Sequence, residues 1–172
     1  NKKRKLNKKK LFLFFFMIVF LIMLILSAIK IISYIIDNKE NKKIQEAIIK
    51  DSITVIEPIE ENQKIKYNID FKSLKEQNPD TVAYLKVNNT NIDYIIVKGN
   101  DNGYYLKHNF EKKWNVSGWI FADYHNKFDE SDKNIIIFGH NTRDGSMFGT
   151  LKNTLNENWY NNEENHKIVL VT

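Results

Sequence analysis

An uninterrupted apolar run constrains this chain more than any other feature. Leu11 to Ile29 is 19 residues without a charge, softened only by Ser27 and Ala28. At about 1.5 Å per residue, a helix of that length nearly spans a hydrocarbon core of roughly 30 Å. The pattern continues to Ile36, interrupted by Lys30, whose ammonium can snorkel to an interface. A buried core helix is rarely apolar all round. A cleaved signal peptide has a shorter apolar region, about 7–15 residues, and a small-x-small site that Ser27-Ala28-Ile29-Lys30 matches poorly. The run therefore reads as an uncleaved, single-pass membrane anchor over 11–36.

Charge supports that reading and sets its direction. Of the 26 Lys and Arg, seven lie in the first ten residues, a basic tail that predicts a cytoplasmic N-terminus and an extracellular remainder. From Asp37 onward 18 basic residues face all 21 acidic ones, so the net charge of +5 belongs to the tail. No basic patch of the kind that binds phosphate backbones remains, and nucleic acid is not an expected partner. The chain has no cysteine, so an exported domain here must hold together by its core alone.

Residues 37–66 read as a stalk helix and linker. Ile44, Ala47, Ile48 and Ile49 recur among Lys, Glu and Gln up to Lys50, and 51–66, with Pro58 and a Glu cluster, reads as a connector. Residues 67–172 read as the globular part. A short helix starts at Asp70 and ends before Asn78-Pro79-Asp80. Strands are expected at Thr81–Val87, Ile92–Val97, Ser117–Ala122, Asn134–Phe138 and Lys167–Val171, with a helical turn at Tyr104-Tyr105-Leu106. Asp144 is placed as the cap of a helix carrying Met147, Phe148, Leu151 and Leu155, and Trp159-Tyr160 as another short helix. The fold class is mostly β with short helices, a barrel or sandwich. The last strand, ending at Val171-Thr172, has no obvious partner, and truncation is expected.

The segment with most chemical promise is Asn134 to Asn141. Four apolar residues, Ile135 to Phe138, suit a strand buried on both faces; Gly139 lets the chain turn, and His140 then projects from a rigid edge. An imidazole in such a place suits general acid–base work. A histidine merely hydrogen-bonded at a strand end has the same signature.

The chain from Asp80 to Leu155 resembles class B sortases. The pieces are Thr81 to Val87, then Thr90-Asn91-Ile92-Asp93-Tyr94, Asn102-Gly103-Tyr104-Tyr105-Leu106, Ser117 to Tyr124, Asn134 to Asn141, and Asp144-Gly145-Ser146-Met147-Phe148. They fall in the family's order. The resemblance implies an incomplete sortase-like β-barrel behind an N-terminal anchor. It implies a cysteine transpeptidase of a Gram-positive surface: a thiolate attacks a carbonyl in a sorting-signal peptide, a histidine protonates the leaving amine, an arginine supports the oxyanion, and an amine of a cell-wall precursor resolves the acyl-enzyme. His140 matches the catalytic histidine. Asn102 and Leu106 match groove residues that contact the sorting peptide, an Asn-Pro-type signal; Asn102 could equally serve its turn and Leu106 the core. No cofactor and no metal are implied. The family's cysteine and arginine lie on later strands and match nothing here; Arg143 is on the wrong segment, and Ser146 lacks a placed base. The polypeptide as it stands is expected to be inactive.

Two other readings compete. One is a non-catalytic anchored binding module or pseudoenzyme. The other is a metallohydrolase resting on Asp123, His125 and His140. His108, His125 and His166 otherwise read as surface histidines, Trp114, Trp119 and Tyr104-Tyr105 as core, and Asp129, Glu130 and Asp132 as a solvated loop.

Overall fold

The structure is a computed structural model and describes residues 8–56 and 66–172. It divides into two compact units, Asn1–Ile36 and Asp37–Thr172. The helix α1 (Lys8–Ser52) begins in the first, where its large aliphatic and phenylalanine side chains from Leu11 to Ile36 are exposed. It is long and apolar enough to cross a membrane.

In the second unit the end of α1 packs by polar groups as well as apolar ones. Asn38, Asn41, Ile48 and Ser52 are buried. Asn41 Nδ2 donates to Asn115 Oδ1 and to the Gly118 carbonyl, each at 3.0 Å. The part of α1 that falls in the stretch read as a stalk helix docks on the domain, because polar positions among its isoleucines find partners there. The connector is not structureless either: β1 (Ile53–Ile56) pairs antiparallel with β2 (Lys66–Ile69), Ile53 facing Ile69. The rest of it lies outside the described residues.

α2 (Phe71–Gln77) starts where expected, since Asp70 Oδ1 accepts from Ser73 N at 3.0 Å and caps the first turn. It stops at Asn78, whose buried amide donates to the Phe110 carbonyl at 2.7 Å and to Tyr105 Oη at 3.0 Å.

Five strands form the main sheet: β3 (Thr81–Val87), β4 (Asp93–Val97), β5 (Phe121–Ala122), β6 (Ile137–Phe138) and β7 (Ile168–Val171), in the order β6-β5-β4-β3-β7. All neighbours are antiparallel except β4 and β5. β4 is buried at four consecutive residues, Tyr94 to Val97, which places protein on both of its faces. Trp119, Tyr84, Tyr105, Phe110 and Phe121 fill the core, and Trp119 Nε1 donates to the Ile95 carbonyl at 2.8 Å.

Several expectations fail for physical reasons. β6 is an edge strand of two residues rather than a strand buried on both faces; Ile136 is exposed and Ile137 and Phe138 are half-buried. β7 does have a partner, since Ile168 to Val171 pair with Val87 to Tyr84. The helix expected after Asp144 is a set of turns followed by a 3-10 helix, Leu151–Leu155. Met147 has a left-handed φ of 48° and Gly145 one of 81°, which no α-helix accommodates. Asp144 caps a turn instead, accepting from Ser146 N and Oγ. A short α3 (Glu157–Tyr160) does form. Of the aromatics expected in the core, Trp119 and Tyr105 are buried, while Trp114 and Tyr104 face solvent.

Candidate active site

His140 follows β6 by two residues. Gly139 keeps an ordinary φ, so it supplies room and not an unusual turn: a Cβ there would lie 2.3 Å from Ile120 Cδ1 and 3.0 Å from Phe148. The His140 carbonyl accepts from Phe148 N at 3.0 Å, which ties the residue to the loop beyond it. The imidazole Nε2 lies 2.9 Å from the Leu106 carbonyl. A carbonyl can only accept, so Nε2 carries a proton and the other nitrogen, Nδ1, has no protein partner among the described residues.

Leu106 closes the 3-10 turn Tyr104–Leu106, set by Asp101, whose Oδ1 accepts from Gly103 N at 2.6 Å and Tyr104 N at 2.7 Å. Those amides, Tyr104's first, hold the Asp101 carboxyl below the ordinary range. The Leu106 side chain is 38% exposed, so it is not core. Asn102, four residues earlier, is fully engaged: Nδ2 donates to Asp123 Oδ2 at 2.8 Å and Oδ1 accepts from Tyr124 N at 3.1 Å. Its amide therefore joins its turn to the segment after β5. The structure brings Leu106 and His140 together, through a backbone carbonyl and not through the leucine side chain. Asn102 stands in the bend just before that turn and has no hydrogen bond to His140.

Asp123 accepts from His125 N at 2.8 Å and lies 2.7 Å from His125 Nδ1. The His125 amide, with Asn102 next, lowers the carboxyl's pKa. The pair is satisfied internally, and among the described residues no three His, Cys, Asp or Glu side chains converge as metal ligands. Asp129 and Asp132 likewise bind the backbone of their own loop. Ser146 donates to Asp144 Oδ1 at 2.8 Å and lies 3.0 Å from Thr142 Oγ1, with no histidine against it.

The sequence reading missed how the loop after His140 is held. Asn38 Nδ2 donates to Asp144 Oδ2 at 2.7 Å, and Tyr94 Oη accepts from Met147 N at 3.0 Å. Burial, first, raises the Tyr94 pKa to about 12. Asn38 and Asp144 are 106 positions apart, and nothing local in the sequence signals such a bond.

The sheet-rich half-barrel matches known sortase B structures. No family model matches the chain. Among curated proteins it is 42% identical over 90 residues to sortase B of Listeria monocytogenes, covering 52% of this chain and 37% of that one. It is 34% identical over 99 residues to sortase B of Staphylococcus aureus, covering 58% and 39%. Among solved structures, sortase B of Bacillus anthracis in complex with AAEK1 superposes with a TM-score of 0.64 at 33% identity, covering 79% of this chain and 62% of that one. In sequence and in fold the chain resembles the class B sortases in particular. It spans well under half the length of the two curated relatives.

Proposed function

We propose that this chain supplies the histidine-bearing part of a class B sortase-like transpeptidase. The observation that carries the reading is the position of His140, whose Nε2 is fixed on the Leu106 carbonyl, beside the turn that presents Asn102 and Leu106. The class B likeness supports the same roles. In this reading a cysteine thiolate attacks a carbonyl carbon of a sorting-signal peptide. The C–N bond breaks as His140 gives a proton to the departing amine. A cell-wall precursor amine then attacks the thioester and expels the thiolate. With Nε2 held by Leu106, Nδ1 is the nitrogen left to exchange the proton. Leu106, exposed, lines the peptide groove; Asn102 shapes it through Asp123. These 172 residues contain no cysteine, so the thiol must come from polypeptide outside them, and alone they form no thioester. The apolar segment 11–36 anchors the domain outside the cell membrane, with the basic tail on the cytoplasmic side.

The missing thiol also favours a second reading, a non-catalytic anchored module that binds sorting signals. One experiment separates them. The chain is extended with the Cys- and Arg-bearing segment of a class B sortase and assayed for cleavage of a sorting-signal peptide. Cleavage that falls about 10²–10⁴-fold in the His140→Ala variant supports the catalytic role. Normal cleavage with Ala at 140 removes His140 from the mechanism. Peptide binding without cleavage favours the binding module.

A further inference from the structure

Trp114 is the most exposed aromatic side chain among the described residues of Asp37–Thr172, at 62%, and Val116 beside it is 39% exposed. Neither is a floppy tip. The loop that carries them is closed by Asn109 N donating to the Lys113 carbonyl and Asn115 N to the Lys107 carbonyl, both at 2.9 Å. Phe110 pins the loop to the core at 1% exposure. Lys107 Nζ stands 5.5 Å from the centre of the Trp114 ring. A rigid loop that holds an indole in water, with a cation over its face, has left a large apolar area uncovered.

The loop is tied to the first residue of the domain. Asn115 Nδ2 donates to the Asp37 carbonyl at 3.0 Å, and Val116 N donates to Asp37 Oδ2 at 2.9 Å. Asp37 directly follows Ile36, the last residue of the apolar segment. Trp114 and Val116 flank the very residue clamped to the point where the chain leaves that segment. Indole is the side chain that favours the headgroup level, apolar in body and polar at Nε1. Lys107 and Lys113 bracket it, although Lys113 also pairs with Glu111, and lysines there suit an anionic surface.

We infer that the 107–116 loop is a membrane-contact surface that lays Trp114 and Val116 on the anionic lipid headgroups next to the anchor. The inference rests on the proposed anchoring by 11–36.

The test uses the full chain in vesicles of phosphatidylglycerol and phosphatidylcholine. Flotation after a carbonate wash reports the anchor. Trp114 emission is isolated as the difference between the chain and Trp114→Phe, which removes the contributions of Trp119 and Trp159. Lipids brominated near the headgroup end of their acyl chains should quench this component several-fold more than lipids brominated near the bilayer centre. They should also protect it from aqueous iodide. A chain that floats, with Trp114 quenched by iodide and untouched by brominated lipid, overturns the inference and leaves the anchor standing. A chain that fails to float overturns both.

Discussion

Gly118→Ala tests the packing that sets the candidate site. Gly118 has a φ of +55°, a left-handed conformation that costs an L-residue about 1–2 kcal/mol. The new Cβ would also lie 2.2 Å from the Tyr105 carbonyl oxygen and 2.7 Å from both carbon and oxygen of the Leu106 carbonyl. These are backbone atoms of a turn fixed by Asp101, so they cannot swing aside as a side chain would. Overpacking of this kind adds about 1–3 kcal/mol. The expected loss is therefore about 2–5 kcal/mol of unfolding free energy. Urea denaturation of the full chain in detergent, followed by emission of the buried neighbour Trp119, measures it. The control is Gly99→Ala, whose Cβ would meet nothing closer than 3.5 Å and whose φ is not left-handed. It should stay within about 0.5 kcal/mol of the parent. The substitution at 118 should also displace the carbonyl that receives His140 Nε2, shifting the imidazole resonances. If Gly118→Ala costs no more than Gly99→Ala, the close approach of residue 118 to the 105–106 backbone is wrong.

Two further outcomes follow from the loop beyond His140. Tyr94→Phe leaves Met147 N without its acceptor inside the core, and should cost about 1–3 kcal/mol in the same denaturation assay. For Asp144, partial burial raises the carboxyl pKa, but bonds from Ser146, Thr142 and Asn38 outweigh it and the net shift is downward. A depressed folded-state pKa contributes stability above the unfolded value near 3.8, and loses it as pH falls through the lower folded value. Thermal melts taken from about pH 6 to about pH 2 should therefore drop less steeply for Asp144→Asn than for the parent, by a small margin because the group is largely solvated.

Local chemistry made much of the sheet readable. Thr81–Val87 is a strand to the residue, because a β-rich run is bounded by Asn78-Pro79-Asp80 and an Asn-rich turn. The helix cap at Asp70 and the turn at Tyr104 were readable for the same reason. What failed depended on neighbours remote in sequence. Ile135 to Phe138 resembles a doubly covered strand, yet its place at the sheet edge leaves one side to solvent. Met147, Phe148, Leu151 and Leu155 have helical spacing, but the Tyr94 hydroxyl accepts from Met147 N and the Thr142 hydroxyl donates to the Ser146 carbonyl, which captures the backbone into turns. The β1–β2 pair was hidden because β1 lies inside the stretch 51–66, read only as Pro- and Glu-bearing connector. At the candidate site, His140 was singled out by its segment and by the resemblance. Its partner was not, because a backbone carbonyl has no letter of its own in the sequence.

The same contacts explain why a helix end belongs to a candidate active site. Asp37 binds the backbone at Val116, Asn38 binds Asp144, and Asn41 binds the carbonyl of Gly118. Gly118 lies against the Leu106 carbonyl, and that carbonyl receives His140. Asp144 stands four residues beyond His140, in the loop whose Phe148 amide returns to the His140 carbonyl. The helix end therefore reaches both supports of the imidazole, the turn that receives its nitrogen through Gly118 and the loop that holds its backbone through Asp144. Because Asn41 is 2% exposed and Asn38 7%, water cannot replace these bonds without opening the packing. An apolar helix face would bury as much surface and slide more freely. Amides with fixed donors and acceptors permit one register, so the first turns after the apolar segment act as a rigid mount for the groove.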